Sequence, residues 1–117
     1  PESIGNLSNL ERLYIISNIQ LISIPESIGN IVFLERLYLN DNNLETFISN
    51  LDNFHDLSSI KLNNNQLKSL PDNLCDNPNL DSSIDVRHNK LCDADMWNML
   101  YCLPEYQSDP EYQDCDE

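Results

Sequence analysis

The sequence repeats itself. Residues 1–6 read PESIGN and residues 25–30 read PESIGN again. Leu10-Glu11-Arg12-Leu13-Tyr14 returns 24 residues later as Leu34-Glu35-Arg36-Leu37-Tyr38. The spacing L-x-x-L-x-L-x-x-N-x-L is complete at Leu34, Leu37, Leu39, Asn42 and Leu44, and again at Leu57, Ile60, Leu62, Asn65 and Leu67. A first copy runs Leu10, Leu13, Ile15, Asn18 and Leu21, with one extra residue before Leu21. A last copy runs Leu80, Ile84, Val86, Asn89 and Leu91, with one extra residue before Ile84. Four copies at a period of 23 or 24 leave few folds open. One unit is too short to bury its own apolar face, so successive units must stack and share a core.

The residue types say how each unit is built. The alternation Leu37-x-Leu39 predicts a short strand with one buried face. Stacked units then set neighbouring strands side by side and parallel. Pro25, Ile28, Ile31 and Leu34 fall at intervals of three, which suits a 3₁₀ or short helical return. Asn42 and Asn65 stand where the chain leaves the strand and turns inward. An asparagine amide carries two donors and an acceptor, so it can satisfy backbone groups that the turn would otherwise bury unpaired.

This pattern resembles the leucine-rich repeat family, and most of all its 23-residue variety with Pro and Ile-Gly opening each unit. It is similar to plant intracellular Ras-group repeats and to many bacterial repeat proteins. The resemblance covers residues 1–92. It departs from the pattern at Ile48, where Pro is expected, at Asn77-Pro78, where an apolar residue is expected, and at the two insertions. It implies an α/β solenoid: four short parallel strands, at 12–16, 36–40, 59–63 and 84–87, on a concave face, with 3₁₀ or short helical returns. The units are 1–24, 25–47, 48–70 and 71–92. The first begins in mid-pattern and without Met, which reads as a piece of a longer repeat protein.

Residues 93–117 read differently. They hold Trp97, three tyrosines, eight acids and no base. Asp93 to Cys102 reads as a short amphipathic helix ended by Pro104, a cap over the last coil followed by an acidic tail. All four cysteines, Cys75, Cys92, Cys102 and Cys115, lie in the C-terminal part. Sixteen, nine and twelve residues separate successive cysteines, which does not fit the close pairs of a zinc site. Two disulfides stapling the cap are expected instead, the alternative being free thiols in a cytosolic protein. Of the three possible pairings, Cys92 with Cys115 and Cys75 with Cys102 is favoured, because Cys92 ends the last repeat and Cys115 lies in the tail.

Charge narrows the function. Twenty acids against six bases give a net charge of -14. That argues against general binding to nucleic acid or anionic lipid, which needs a basic surface. With two glycines there is no Gly-rich phosphate loop. No apolar run reaches the ~18 residues of a membrane span. No Ser or Cys stands with a His and a carboxylate in a local catalytic signature, and no cofactor or metal is expected. His55 falls on a return segment and reads as a solvated surface residue. Val32 or Phe33 is expected on the outer side, packed against a neighbouring turn. Asn6-Leu7-Ser8 is a glycosylation sequon of the kind an Asn-rich chain contains by accident.

The strand register then selects the residues that point out of the concave face. They are Arg12, Tyr14, Ile16 and Ser17; Arg36, Tyr38, Asn40 and Asp41; Ser59, Lys61, Asn63 and Asn64; and Ser83, Asp85, Arg87 and His88. Four of the six bases of the chain are in this set, against two acids, while the remaining surface has two bases against eighteen acids. The expectation is a docking face for an acidic or hydrogen-bonding protein or peptide, with Arg12, Tyr14, Arg36, Tyr38, Asn40, Lys61, Asn63, Asp85 and Arg87 as its binding residues and the two tyrosines as adjacent anchors. The chain reads as a binding module and not an enzyme: the C-terminal part of a secreted or cell-surface repeat protein, monomeric unless its open N-terminal end associates. The alternative is an intracellular, cytoplasmic regulatory scaffold, or the repeat region of a larger signalling enzyme, as the Ras-group likeness would imply.

Overall fold

The computed structural model describes residues 2–49, 51–71, 73–77, 80, 84–93, 113 and 115. The expected cap helix and Cys102 lie outside the described residues, as does Ser83 of the expected concave set. Four strands form one sheet in the order β1-β2-β3-β4. They are β1 (Arg12–Tyr14), β2 (Arg36–Tyr38), β3 (Ser59–Lys61) and β4 (Ile84–Asp85). Every pairing is parallel, and Leu13, Leu37, Ile60 and Ile84 are register partners in turn. The strands are shorter than the sequence spacing predicts. A backbone residue of positive φ follows each of them, at Ser17, Asp41, Asn64 and His88. That conformation turns the chain out of the extended path and repeats with the sequence period. Coil-to-coil hydrogen bonds nevertheless continue into the turn, as from Leu39 N–H to Lys61 O at 2.8 Å and Asp41 N–H to Asn63 O at 3.0 Å.

The returns follow from the three-residue apolar spacing. Glu2–Asn6, Glu26–Asn30 and Leu74–Asp76 are 3₁₀ turns. The N–H groups of Ile28, Ile31 and Leu34 each donate to the carbonyl three residues back, at 3.1 to 3.2 Å. Each inward-pointing side chain thus sits on a residue whose own backbone closes a turn. Pro25 opens its turn in an extended conformation, φ -64 and ψ 142. In the third unit Ile48 takes the proline position and is fully buried, and the turn there is carried by Phe54 N–H to Leu51 O at 3.1 Å. Asn77, standing where Ile31 and Phe54 pack in earlier coils, is half-buried and donates its amide to Phe54 O at 2.6 Å.

The core is a stack of like positions. Leu37, Ile60 and Ile84 lie under the strands, Leu39, Leu62 and Val86 beside them, and Leu44, Leu67 and Leu91 beyond the turn, all buried. Their partners in the first coil, Leu13, Ile15 and Leu21, are half-buried. Val32 and Phe33 depart from expectation: both face solvent, at 37% and 52% exposure, instead of packing against a neighbouring turn. Their neighbours Ile31 and Leu34 already fill the inward positions of that return.

A polar ladder runs through the core beside the sheet. Asn42 donates to Ile15 O at 2.7 Å and Leu39 O at 2.8 Å. Asn65 donates to Leu39 O and Leu62 O, and Asn89 to Leu62 O and Val86 O, at 2.8 to 3.0 Å. Each amide oxygen accepts a backbone N–H of the preceding coil: Asn18 N–H, Leu44 N–H and Leu67 N–H in turn. Every ladder side chain thus joins its own coil to the one before it. The ladder has one more rung than the repeats predict. Gln113 donates to Val86 O at 2.9 Å and accepts Leu91 N–H at 3.1 Å, and it pairs with Asn89 in a parallel bridge. It follows Asn89 by the same 24 residues that separate Asn42 from Asn18. Two residues on, Cys115 is bonded to Cys92, as the sequence favoured. Cys75 is also disulfide-bonded.

Candidate binding face

The parallel register lines up the outward side chains in rows. One row is Arg12, Arg36 and Ser59. The next is Tyr14, Tyr38, Lys61 and Asp85. Adjacent strands bring the two tyrosine rings face to face, 4.6 Å between centroids and 12° between planes. Lys61 lies over the outer face of the pair, its Nζ 4.7 Å from the Tyr38 centroid. Ser59 donates its hydroxyl to the Tyr38 oxygen at 3.3 Å. The two tyrosines are therefore adjacent and stacked, with a cation at one end of the pair. An offset aromatic pair and a cation over a ring each add of order 0.5–1 kcal/mol beyond area burial. Arg36 is fully exposed, and hydrogen bonding to Tyr14, with the nearby phenol oxygens of Tyr14 and Tyr38, holds its pKa above the ordinary value.

The four bases of the face are not equivalent. Arg87 is tied to Asp85 by two side-chain contacts, Nε to Oδ1 at 3.0 Å and Nη2 to Oδ2 at 2.8 Å. Burial pushes the Asp85 carboxyl up, but the Arg87 hydrogen bonds and the charges of Arg87 and Lys61 outweigh it and hold the pKa below the usual carboxylate value. The sequence places both residues on the face; the structure has them largely neutralise each other. Arg12, Arg36 and Lys61 form no ion pair with an acid among the described residues.

The third row is less open than the register implies. Asn40 and Asn63 are half-buried, and each encloses its Oδ1 without a donor among the described residues. Asn40 turns its amide nitrogen to Asp41 Oδ2 at 2.8 Å, and Asn64 reaches Asp41 Oδ1 at the same distance. Asp41 is thereby spent within the turn. Ile16 is exposed, as the register requires. His55 is exposed on the outer return, on the opposite side of the coil. Among the described residues no three His, Cys, Asp or Glu side chains converge to hold a metal, and no helix is long and apolar enough to cross a membrane.

No family model and no curated protein matches the sequence. Solved structures do match. The chain is similar to a leucine-rich repeat protein of Leptospira interrogans, at 30% identity and a TM-score of 0.70, over 88% of this chain and 26% of that one. It thus spans about a quarter of the length of that neighbour. The 23- to 24-residue period, the strands paired in sequence order and the asparagine ladder agree with that likeness, and the chain is a leucine-rich repeat solenoid.

Proposed function

We propose that the chain is a protein- or peptide-binding module that engages its partner on the concave strand face. One observation carries the reading. In a chain of charge -14, Arg12, Arg36 and Lys61 are gathered on one face around a stacked tyrosine pair, without an acid partner among the described residues. Stacked tyrosines offer rigid, amphipathic contact area, and unpaired cations steer an acidic partner. The other proposed members of the face are Asn40, Asn63, Asp85 and Arg87. They act as its rim, since their polar groups are turned inward or paired. Binding, not catalysis, is the proposed activity.

The proposal extends to context: a secreted or cell-surface protein, within a longer array of repeats. The Cys92–Cys115 disulfide supports an oxidising compartment. The exposed apolar side chains of the first coil, Leu7 and Ile19 among them, support a neighbouring coil or partner against that end. The binding reading is tested by placing a photo-cross-linking amino acid at Lys61 or, on the outer side, at Asp52. Irradiation with cell-surface extract should yield a discrete adduct from position 61. An adduct from position 52 with none from position 61 would move the binding face to the outer side.

A further inference from the structure

The three arginines of the chain, Arg12, Arg36 and Arg87, all lie on the concave face, but among the described residues only Arg87 is held in an ion pair. Arg12 and Arg36 are register partners on adjacent parallel strands, both exposed, with like charges side by side. Such a pair is unfavourable in the free protein. The chain has twenty acids with which it could compensate them, and two, Glu11 and Glu35, directly precede them in sequence. Glu11 is exposed and Glu35 half-buried, and neither forms an ion pair among the described residues; Glu35 acts on Arg36 only as a nearby charge, the smallest of the influences on it. One edge of the arginine pair is walled by the stacked rings of Tyr14 and Tyr38. Lys61 lies on the far side of Tyr38.

Resting on the concave-face reading, we infer that Arg12 and Arg36 form a two-guanidinium clamp for one side-chain carboxylate of an acidic protein segment, which lies against the Tyr14–Tyr38 stack. Guanidinium groups present planar donor forks that match a carboxylate, and two of them on neighbouring strands can hold one from both sides. The charge of the chain selects the partner class. A highly charged polyanion would meet the -14 surface around the clamp and be repelled, whereas a peptide with one or two acids meets the local positive strip alone. Arg87 takes no part, because Asp85 already pairs with its Nε and Nη2 and offsets its charge. The ligand acid is therefore read at the first two strands and not along the whole basic column.

The three arginine Nε–H signals of labelled protein report on the clamp directly, assigned through Arg→Lys variants. The probe is a nonapeptide with a central Glu and a neighbouring Tyr, compared with its Gln counterpart and with acetate. The Glu peptide should shift the Arg12 and Arg36 signals together and leave Arg87 in place. Its affinity should fall about tenfold in Arg36→Ala and in the Gln peptide, the expected loss of one charge-assisted contact. Equal binding of the Gln peptide at the same strands would overturn the clamp and leave the concave face standing. Shifts confined to the outer returns would overturn both. A shift of Arg87 equal to the others, an equal response to acetate, or no shift with any probe would also overturn the clamp.

Discussion

Asn42 and Asn40 stand two residues apart and do opposite work. Asn42 is 8% exposed and bridges two coils through its amide, while Asn40 borders the open face with its oxygen enclosed and undonated. Asn42→Leu strands Ile15 O and Asn18 N–H, while Leu39 O keeps its bond from Asn65; Asn40→Leu removes an unsatisfied oxygen and one surface contact to Asp41. The first should cost about 1–3 kcal/mol more than the second, measured by denaturant unfolding. Equal midpoints would contradict the ladder. Ser17 tests the turn that ends each strand, since its φ of 63 lies where side chains crowd the backbone. Ser17→Val should cost about 1–2 kcal/mol, and Ser17→Gly should be close to neutral. Asp85 sets a pH dependence. Its carboxyl is held below the ordinary value, so its contribution to stability is full above the unfolded value of about 3.9 and is lost as pH falls further. Asp85→Asn should flatten that part of the acid limb, which thermal melts between pH 5 and 2 would record. The ladder positions were legible because each Asn recurs at the period of a coil. The Asp85–Arg87 pairing was not legible, because alternation fixes a face and not which neighbour a long side chain meets.

Among the elements, the two PESIGN returns are identical in sequence and different in surroundings. A Cβ at Gly5 would run into the carbonyl oxygen of Ser27 and lie 2.9 Å from its Cβ, while one at Gly29 would meet nothing within 4 Å. Gly5→Ala must push the first return off the second. It should cost about 1–3 kcal/mol, against a neutral or slightly stabilising Gly29→Ala. A comparable loss at both positions would contradict the nesting of these two coils. No pattern in the sequence separates the two glycines, because the difference lies in what the next coil brings against each. The C-terminal end was legible in part. Its cysteines announced a staple, but Gln113 escaped notice because the tail lacks the L-x-L strand signal, although it keeps the 24-residue interval. The Cys92–Cys115 bond holds Gln113 where it receives Leu91 N–H. Cys115→Ser should cost about 2–5 kcal/mol and speed amide exchange at Leu91 ahead of Leu67. Unchanged protection at Leu91 would dissociate the disulfide from the last rung.

At the scale of the whole molecule, the fold was almost wholly legible and the face only half so. A repeat that cannot bury its own core dictates stacking, and stacking dictates parallel strands in sequence order. The same register put Tyr14 beside Tyr38 and Arg12 beside Arg36. Which cations stay free depends on side-chain partners, and among the described residues the Asp85–Arg87 pair leaves three of the four bases of the face without an ion pair. Four strands at ~4.8 Å span only about 14–19 Å, less than a standard interface of roughly 20–30 residues a side occupies. Binding by these coils alone should therefore be weak and salt-sensitive. The central claim is that the concave strip is the binding surface. It is tested most directly by the dissociation constant of the cross-linked partner for Arg36→Ala and Tyr38→Ala, set against Glu26→Ala and Asp52→Ala on the outer side. The account predicts losses of about tenfold or more for the first two and affinities near wild type for the second two. Weakened binding in the outer pair with the concave pair unchanged would contradict it.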